Sequence, residues 1–208
     1  MKDRILTGVA AYYTEKINQH GNTSLGVDWN SKDSQYLRFE QVCRVIQPNT
    51  EFSLLDFGCG CGELVNYLNN HTDLKNYRYC GYDVSEKMIE NARVFFKEKK
   101  SIKFSNELPK DKFDYVIASG VFNVKLDLAT NDEWLEYITT TLMTLSALSN
   151  NGFSFNALTS YSDKDRVKDY LYYADPLFLF DYCKKYFSKN ISLIHDYDLY
   201  EFTIIVRK

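Results

Sequence analysis

The stretch Leu54-Leu55-Asp56-Phe57-Gly58-Cys59-Gly60-Cys61-Gly62-Glu63-Leu64 constrains this chain more than any other. The apolar run from Phe52 to Phe57 reads as a strand buried on both faces. Three glycines at alternate positions follow it, and Leu64, Val65 and Leu68 then open a helical period. Strand, glycine turn and helix make the first half of a βαβ unit. In such a unit glycine lets a ligand approach the backbone closely, and the helix start offers it free N–H groups.

The dinucleotide fingerprint G-x-G-x-x-G/A fits only in part. Gly58 and Gly60 match, but the third position falls on Glu63, whose charge would repel a pyrophosphate. Asp56 instead precedes the glycines by two residues. The pattern Asp-x-Gly-x-Gly-x-Gly resembles motif I of the class I S-adenosylmethionine-dependent methyltransferases. The resemblance implies S-adenosylmethionine as cofactor, a ligand with an ammonium, a sulfonium and a carboxylate but no phosphate, which tolerates acids near the turn.

At 208 residues the chain fits one domain with a substantial core. A net charge of −3 and the absence of a long basic run argue against a general nucleic-acid binder. Five cysteines without a C-x-x-C pair fit reduced thiols in a cytoplasm, and no metal site is expected. The apolar part of Ile5 to Tyr13 is too short and too polar for a signal peptide, and no stretch is long enough to insert in a membrane.

Taken in order, Arg4 to Asn18 is a candidate helix, followed by a loop with two glycines. Asn30 or Ser31 caps a second helix through about Ile46, closed by Pro48. After the glycine turn the pattern predicts a helix over Glu63 to Asn70 and a strand over Tyr77 to Tyr82. Ser85 then caps a helix with Met88, Ile89, Ala92, Phe95 and Phe96 on one face. Further strands are expected at Ile102 to Phe104, Phe113 to Ser119 and Phe153 to Leu158. A long helix from Asp132 to Ser149 is stopped by Asn150-Asn151-Gly152. Pro176 starts a last helix. Ile191 to His195 and Phe202 to Val206 are joined too tightly for a crossover helix, so they form an antiparallel hairpin. The result is an α/β sandwich. It is similar to the Rossmann-like class I methyltransferase fold, a seven-stranded, mostly parallel sheet with one reversed strand. The likeness covers about Ser53 to Lys208. It gives a single domain over 1–208, with a helical cap or lid over 1–50 and the cofactor-binding core over 51–208.

Ligands of open α/β sheets lie over the carboxyl ends of the strands. There the resemblance assigns Asp83 to the ribose hydroxyls, Val84 and Met88 to the adenine faces, and Asn106 or a neighbour to the adenine amino group. Asp56 serves the amino end, Gly58, Gly60 and Gly62 make room, Ser119 offers backbone, and Phe122 covers the sulfonium. Arg38, with Gln35 beside it on one helix face, is the candidate for the cofactor carboxylate. Of the three histidines, His20 and His195 are the candidate bases, while His71 reads as surface. Tyr12, Tyr13, Lys16, Trp29, Tyr161, Arg166 and Tyr173 supply rings, hydroxyls and cations for a small polar acceptor.

His20-Gly21…Gly26-Val27-Asp28-Trp29, Gln35…Arg38-Phe39, Gly120-Val121-Phe122-Asn123 and Phe155-Asn156…Leu158-Thr159-Ser160-Tyr161 resemble small bacterial methyltransferases of surface-polysaccharide gene clusters, including those of methyl phosphoramidate capsule decoration. This implies methyl transfer to an oxygen of a sugar or phosphate-type group. N-methylation of an amino sugar or small amine, and a non-catalytic cofactor-binding subunit, stay open as alternatives, as does a homodimer.

Overall fold

A computed structural model describes residues 2–21, 23, 26, 31–48, 50–70, 74 and 76–208. Among the described residues the α-helices and strands follow one another as α1 (Lys2–His20), α2 (Lys32–Cys43), β1 (Phe52–Phe57), α3 (Glu63–Asn69), β2 (Tyr77–Tyr82), α4 (Glu86–Phe95), β3 (Ile102–Ser105), β4 (Phe113–Ala118), α5 (Asn131–Leu148), β5 (Ser149–Leu158), α6 (Pro176–Tyr186), β6 (Asn190–Ile194) and β7 (Glu201–Arg207). The strands form one sheet in the order β3-β2-β1-β4-β5-β7-β6. β7 runs antiparallel to both β5 and β6, so the closing hairpin forms as the short connection requires.

Local signals set most boundaries. Ser31 accepts the Ser34 N–H, Ser85 the Met88 N–H and Asp175 those of Leu177 and Phe178, each capping its helix. Thr130 and Glu133 form a reciprocal capping box at the start of α5. Both sheet faces are covered, and neighbouring strand residues point to opposite cores. Leu55, Val116 and Ile204 join the core that packs Trp134 and Leu142 of α5 and Leu179 of α6. Leu54, Ile117 and Ile205 join the other, with Val42 of α2, Leu64 of α3 and Ile89 of α4. This is why the strands read as continuous apolar runs.

Two expectations change. α5 runs directly into β5, and Asn150-Asn151-Gly152 belongs to the strand rather than to a helix stop. Gly152 is required there because a Cβ would lie 2.3 Å from the Val206 carbonyl oxygen of β7. Phe95 is exposed while Phe96 is buried. The helix ends between them, so the apolar period does not carry through.

The register positions the site. β1 pairs β2 in parallel from Phe52–Tyr77 to Phe57–Tyr82, so the glycine turn and Asp83 leave the sheet at one level. β4 pairs β1 with Ile117 opposite Asp56, which brings Ser119 out beside the turn. On the two sides of β1 the chain winds in opposite directions, the crevice where such sheets bind ligands.

Candidate active site

The glycine turn is bolted to the neighbouring strand: the N–H groups of Gly58 and Cys59 both donate to the Tyr82 carbonyl, at 2.7 and 3.0 Å. Gly58, Gly60 and Gly62 all take positive φ, at 81°, 53° and 86°. Asp83 completes the frame. Its two carboxylate oxygens accept the N–H groups of Gly60 (2.9 Å) and Ser85 (2.8 Å). A carboxylate has roughly four acceptor positions, so two remain for a ligand.

Over this frame lies a cavity of about 380 Å³. Asp56, Phe57, Gly58, Cys59, Gly60 and Cys61 form its floor, Tyr82, Asp83, Val84 and Met88 one side, and Ser119, Gly120, Val121 and Tyr137 the other. Leu6, Val9 and Tyr13 of α1 and Lys32, Gln35 and Phe39 of α2 close over it. Its carboxylates are Asp56, Asp83 and Glu63; among the described lining residues Lys32 is the one cation. Ser119 Oγ is buried without a hydrogen-bond partner among the described residues. Such an atom suits a polar ligand.

Burial pushes the Asp56 carboxyl up to about 7, against the Tyr79 hydroxyl that donates to it at 2.5 Å, and the nearby Asp83 adds to the rise. Burial also raises the Asp83 carboxyl, countered by its two N–H donors. The Cys61 thiol is pushed up to about 11 by burial, and Cys59 lies well above its ordinary range for the same reason. Both are protonated at neutral pH and serve as small fillers of the turn rather than as nucleophiles.

A second cavity, of about 450 Å³, shares Tyr13 and Gly120 with the first. Arg166, Lys168, Tyr170, Tyr173, Asp198 and Tyr200 line it, with Arg38 and Glu201. Glu201 is 1% exposed and sits in a closed network. Arg38 Nη2 lies 2.8 Å from its Oε1, Asn156 Nδ2 donates to Oε2 at 2.8 Å, and Asn123 Nδ2 donates to Oε1 at 3.4 Å. Asn156 Oδ1 in turn accepts the Gly120 N–H at 2.8 Å, so the network holds the partition between the cavities.

The structure gathers Gln35, Asp56, Gly58, Gly60, Asp83, Val84, Met88 and Ser119 in the first cavity, Arg166 and Tyr173 in the second, and Tyr13 in both. The other candidates lie elsewhere. Arg38 points away from the glycine turn, because buried Glu201 demands a countercharge. Phe122 is fully buried core, its ring against Phe155 and its carbonyl accepting the Trp134 indole N–H. A Cβ on Gly62 would meet Phe96 and Phe104, so that glycine serves packing. Asn106 is exposed beyond β3 and lines neither cavity. His20 and His195 are exposed and line neither. Tyr161 is 64% exposed near His195, and Lys16 packs over Tyr12 on α1. Trp29 and His71 fall outside the described residues. Sequence reading missed Lys32 and Glu63 of the first cavity and Lys168, Tyr170, Asn123 and Glu201 of the second. Lys32 had a signal: it stands three residues before Gln35, hence on the same helix face.

A family model described as a methyltransferase domain matches residues 55–147. The Mycobacterium tuberculosis protein named "Putative methyltransferase Rv1506c" is 46% identical over 168 residues, covering 79% of this chain and 98% of that protein. Among solved structures, phosphoethanolamine N-methyltransferase 1 of Haemonchus contortus, in complex with phosphoethanolamine and S-adenosylhomocysteine, superposes with a TM-score of 0.63 at 11% identity over 100% of this chain and 50% of that one. A SAM-dependent methyltransferase of Leishmania major gives 0.61 at 16% identity over 96% and 82%. One from Aquifex aeolicus gives 0.55 at 15% over 85% and 93%. At these identities the structural likeness concerns the fold.

Proposed function

Because this chain belongs to the methyltransferase family, we propose that it transfers the methyl group of S-adenosylmethionine to an oxygen of a small polar acceptor. The observation that carries this reading is the meeting of two cavities at Tyr13 and Gly120: the charged residues described in the first are mostly acids, and the second adds the cations Arg166 and Lys168 and several phenols. The first suits the cofactor by charge. S-adenosylmethionine carries two positive groups and one negative, and the described lining residues offer three carboxylates and one ammonium. A pyrophosphate would face carboxylates there. Asp83 has acceptor positions left for ribose hydroxyls, Val84 and Met88 provide apolar surface for the adenine, and Ser119 and Asp56 offer an unpartnered hydroxyl and a carboxylate toward the amino end. When bound, the cofactor supplies an already activated methyl group.

The remaining work is alignment, worth roughly 7–11 kcal/mol in favourable cases. The Gly120 partition, tied to Asn156, fixes the boundary at which donor and acceptor meet. α1 and α2 cover the donor side with Leu6, Val9 and Phe39. No histidine among the described residues lines either cavity. An acceptor oxygen that is already anionic needs no general base, and Arg166 and Lys168 supply cations to hold one. This favours a phosphate-type group, in line with the sequence likeness to enzymes of surface-polysaccharide decoration. The setting proposed is a bacterial cytoplasm, consistent with five free thiols. No helix of the described residues is long and apolar enough to cross a membrane.

Incubation with labelled S-adenosylmethionine and paired panels of phosphorylated sugars and amino sugars tests the reading. Label is expected on phosphate or hydroxyl oxygen; label on nitrogen alone would shift the assignment to an N-methyltransferase.

The Asp56 carboxyl gives this binding a pH signature. A cationic ligand binds the ionised form, so affinity for S-adenosylmethionine is expected to rise through pH 7, by up to about tenfold per unit below it. Calorimetry from pH 5.5 to 8.5 on the wild type and Asp56→Asn checks this. The variant should lose the part of the rise centred near pH 7. The free protein carries the opposite sign: its folded carboxyl lies above the ordinary 3.8, so this group favours the fold at low pH and that contribution is lost as pH rises through about 7.

A further inference from the structure

Among the described residues that line the first cavity, one cation has no role in the glycine frame. Lys32 stands in the first turn of α2, just after the Ser31 cap, and lines the cavity beside Gln35, which is 5% exposed. Its ammonium is held by two neighbours. Nζ lies 3.4 Å from Glu63 Oε1 and 5.0 Å above the Tyr36 ring. Glu63 is itself fixed, accepting the Tyr36 hydroxyl at 2.9 Å and Asn66 Nδ2 at 2.8 Å. A flexible side chain is thereby kept at the cavity rim.

The surrounding charge makes this placement consequential. Asp56, Asp83 and Glu63 all repel an anionic group, and Arg38 is occupied by Glu201 on the far side of the partition. We propose that Lys32, oriented by Glu63 and Tyr36 and assisted by the Gln35 amide, binds the α-carboxylate of the cofactor's amino-acid end. This rests on the assignment of the first cavity to S-adenosylmethionine. It makes Lys32 the residue that distinguishes an intact amino-acid tail from a decarboxylated one.

A two-by-two titration tests it. S-adenosylhomocysteine and its decarboxylated counterpart, S-adenosyl-3-thiopropylamine, are titrated calorimetrically into the wild type and Lys32→Met. Lys32 is a largely exposed side chain, 65% accessible, so the replacement leaves the core intact. The wild type is expected to prefer S-adenosylhomocysteine by about tenfold or more, as for a charge-assisted hydrogen bond. Lys32→Met is expected to bind the two ligands alike, and Lys32→Arg to recover part of the preference. An undiminished preference in Lys32→Met would overturn this role while leaving the cofactor assignment standing. Failure of the wild type to bind either ligand would overturn both.

Discussion

Replacing Arg38 with methionine is expected to lower the melting temperature by roughly 10 °C. Glu201 is fully enclosed, and Arg38 is the cation that meets it. Removing one partner of a buried pair leaves an uncompensated charge and costs about 3–5 kcal/mol. In a chain of this size each kcal/mol moves the midpoint by about 2–4 °C. Asn123 and Asn156 stay in contact with Glu201 but bring dipoles in place of a charge. Adding Glu201→Gln to Arg38→Met removes the stranded charge while keeping an amide oxygen to accept from Asn123 or Asn156, and should recover much of the loss. Thermal unfolding of the two single variants and the double variant, read as a cycle, separates the pair from its parts. An Arg38→Met protein that melts with the wild type would show that the network does not hold the partition.

Asp83→Asn is expected to weaken S-adenosylhomocysteine binding by more than about 100-fold. Two charge-assisted bonds to the ribose, at about 1.5–3 kcal/mol each, set that scale. The same carboxylate accepts the N–H groups of Gly60 and Ser85, so the residue is also structural. Asp83→Ala would leave both donors buried and unpaired, at about 1–3 kcal/mol each, and would confuse lost binding with lost fold. Asparagine keeps one acceptor and nearly the same shape. Its circular dichroism should match the wild type while the titration goes flat. Wild-type affinity in that variant would remove Asp83 from the cofactor site.

The glycine turn, the strands that flank it and the helix caps were legible because they are local. The run from Tyr77 to Tyr82 is bounded by polar residues, and Ser85 and Pro176 sit at helix starts. The first cavity followed, since a parallel register brings the ends of β1, β2 and β4 to one level. The second cavity was less legible. Its lining comes largely from irregular segments around 162–173 and 198–201, which carry no period to read. Arg38 shows the same limit from the other side. Its place on a half-buried helix face could be read from spacing, but its partner lies in β7, at the far end of the chain. Phe122 read as a loop residue near a ligand; burial decided otherwise, because the turn after β4 folds back under Trp134 of α5.

Calorimetric titration with S-adenosylhomocysteine, with NADH in parallel, tests most directly whether the cavity over Gly58 and Gly60 binds S-adenosylmethionine. One S-adenosylhomocysteine per chain at micromolar Kd, and no heat from NADH, is the expected result. NADH binding, or silence from both ligands, would contradict the cofactor assignment and the methyl transfer built on it.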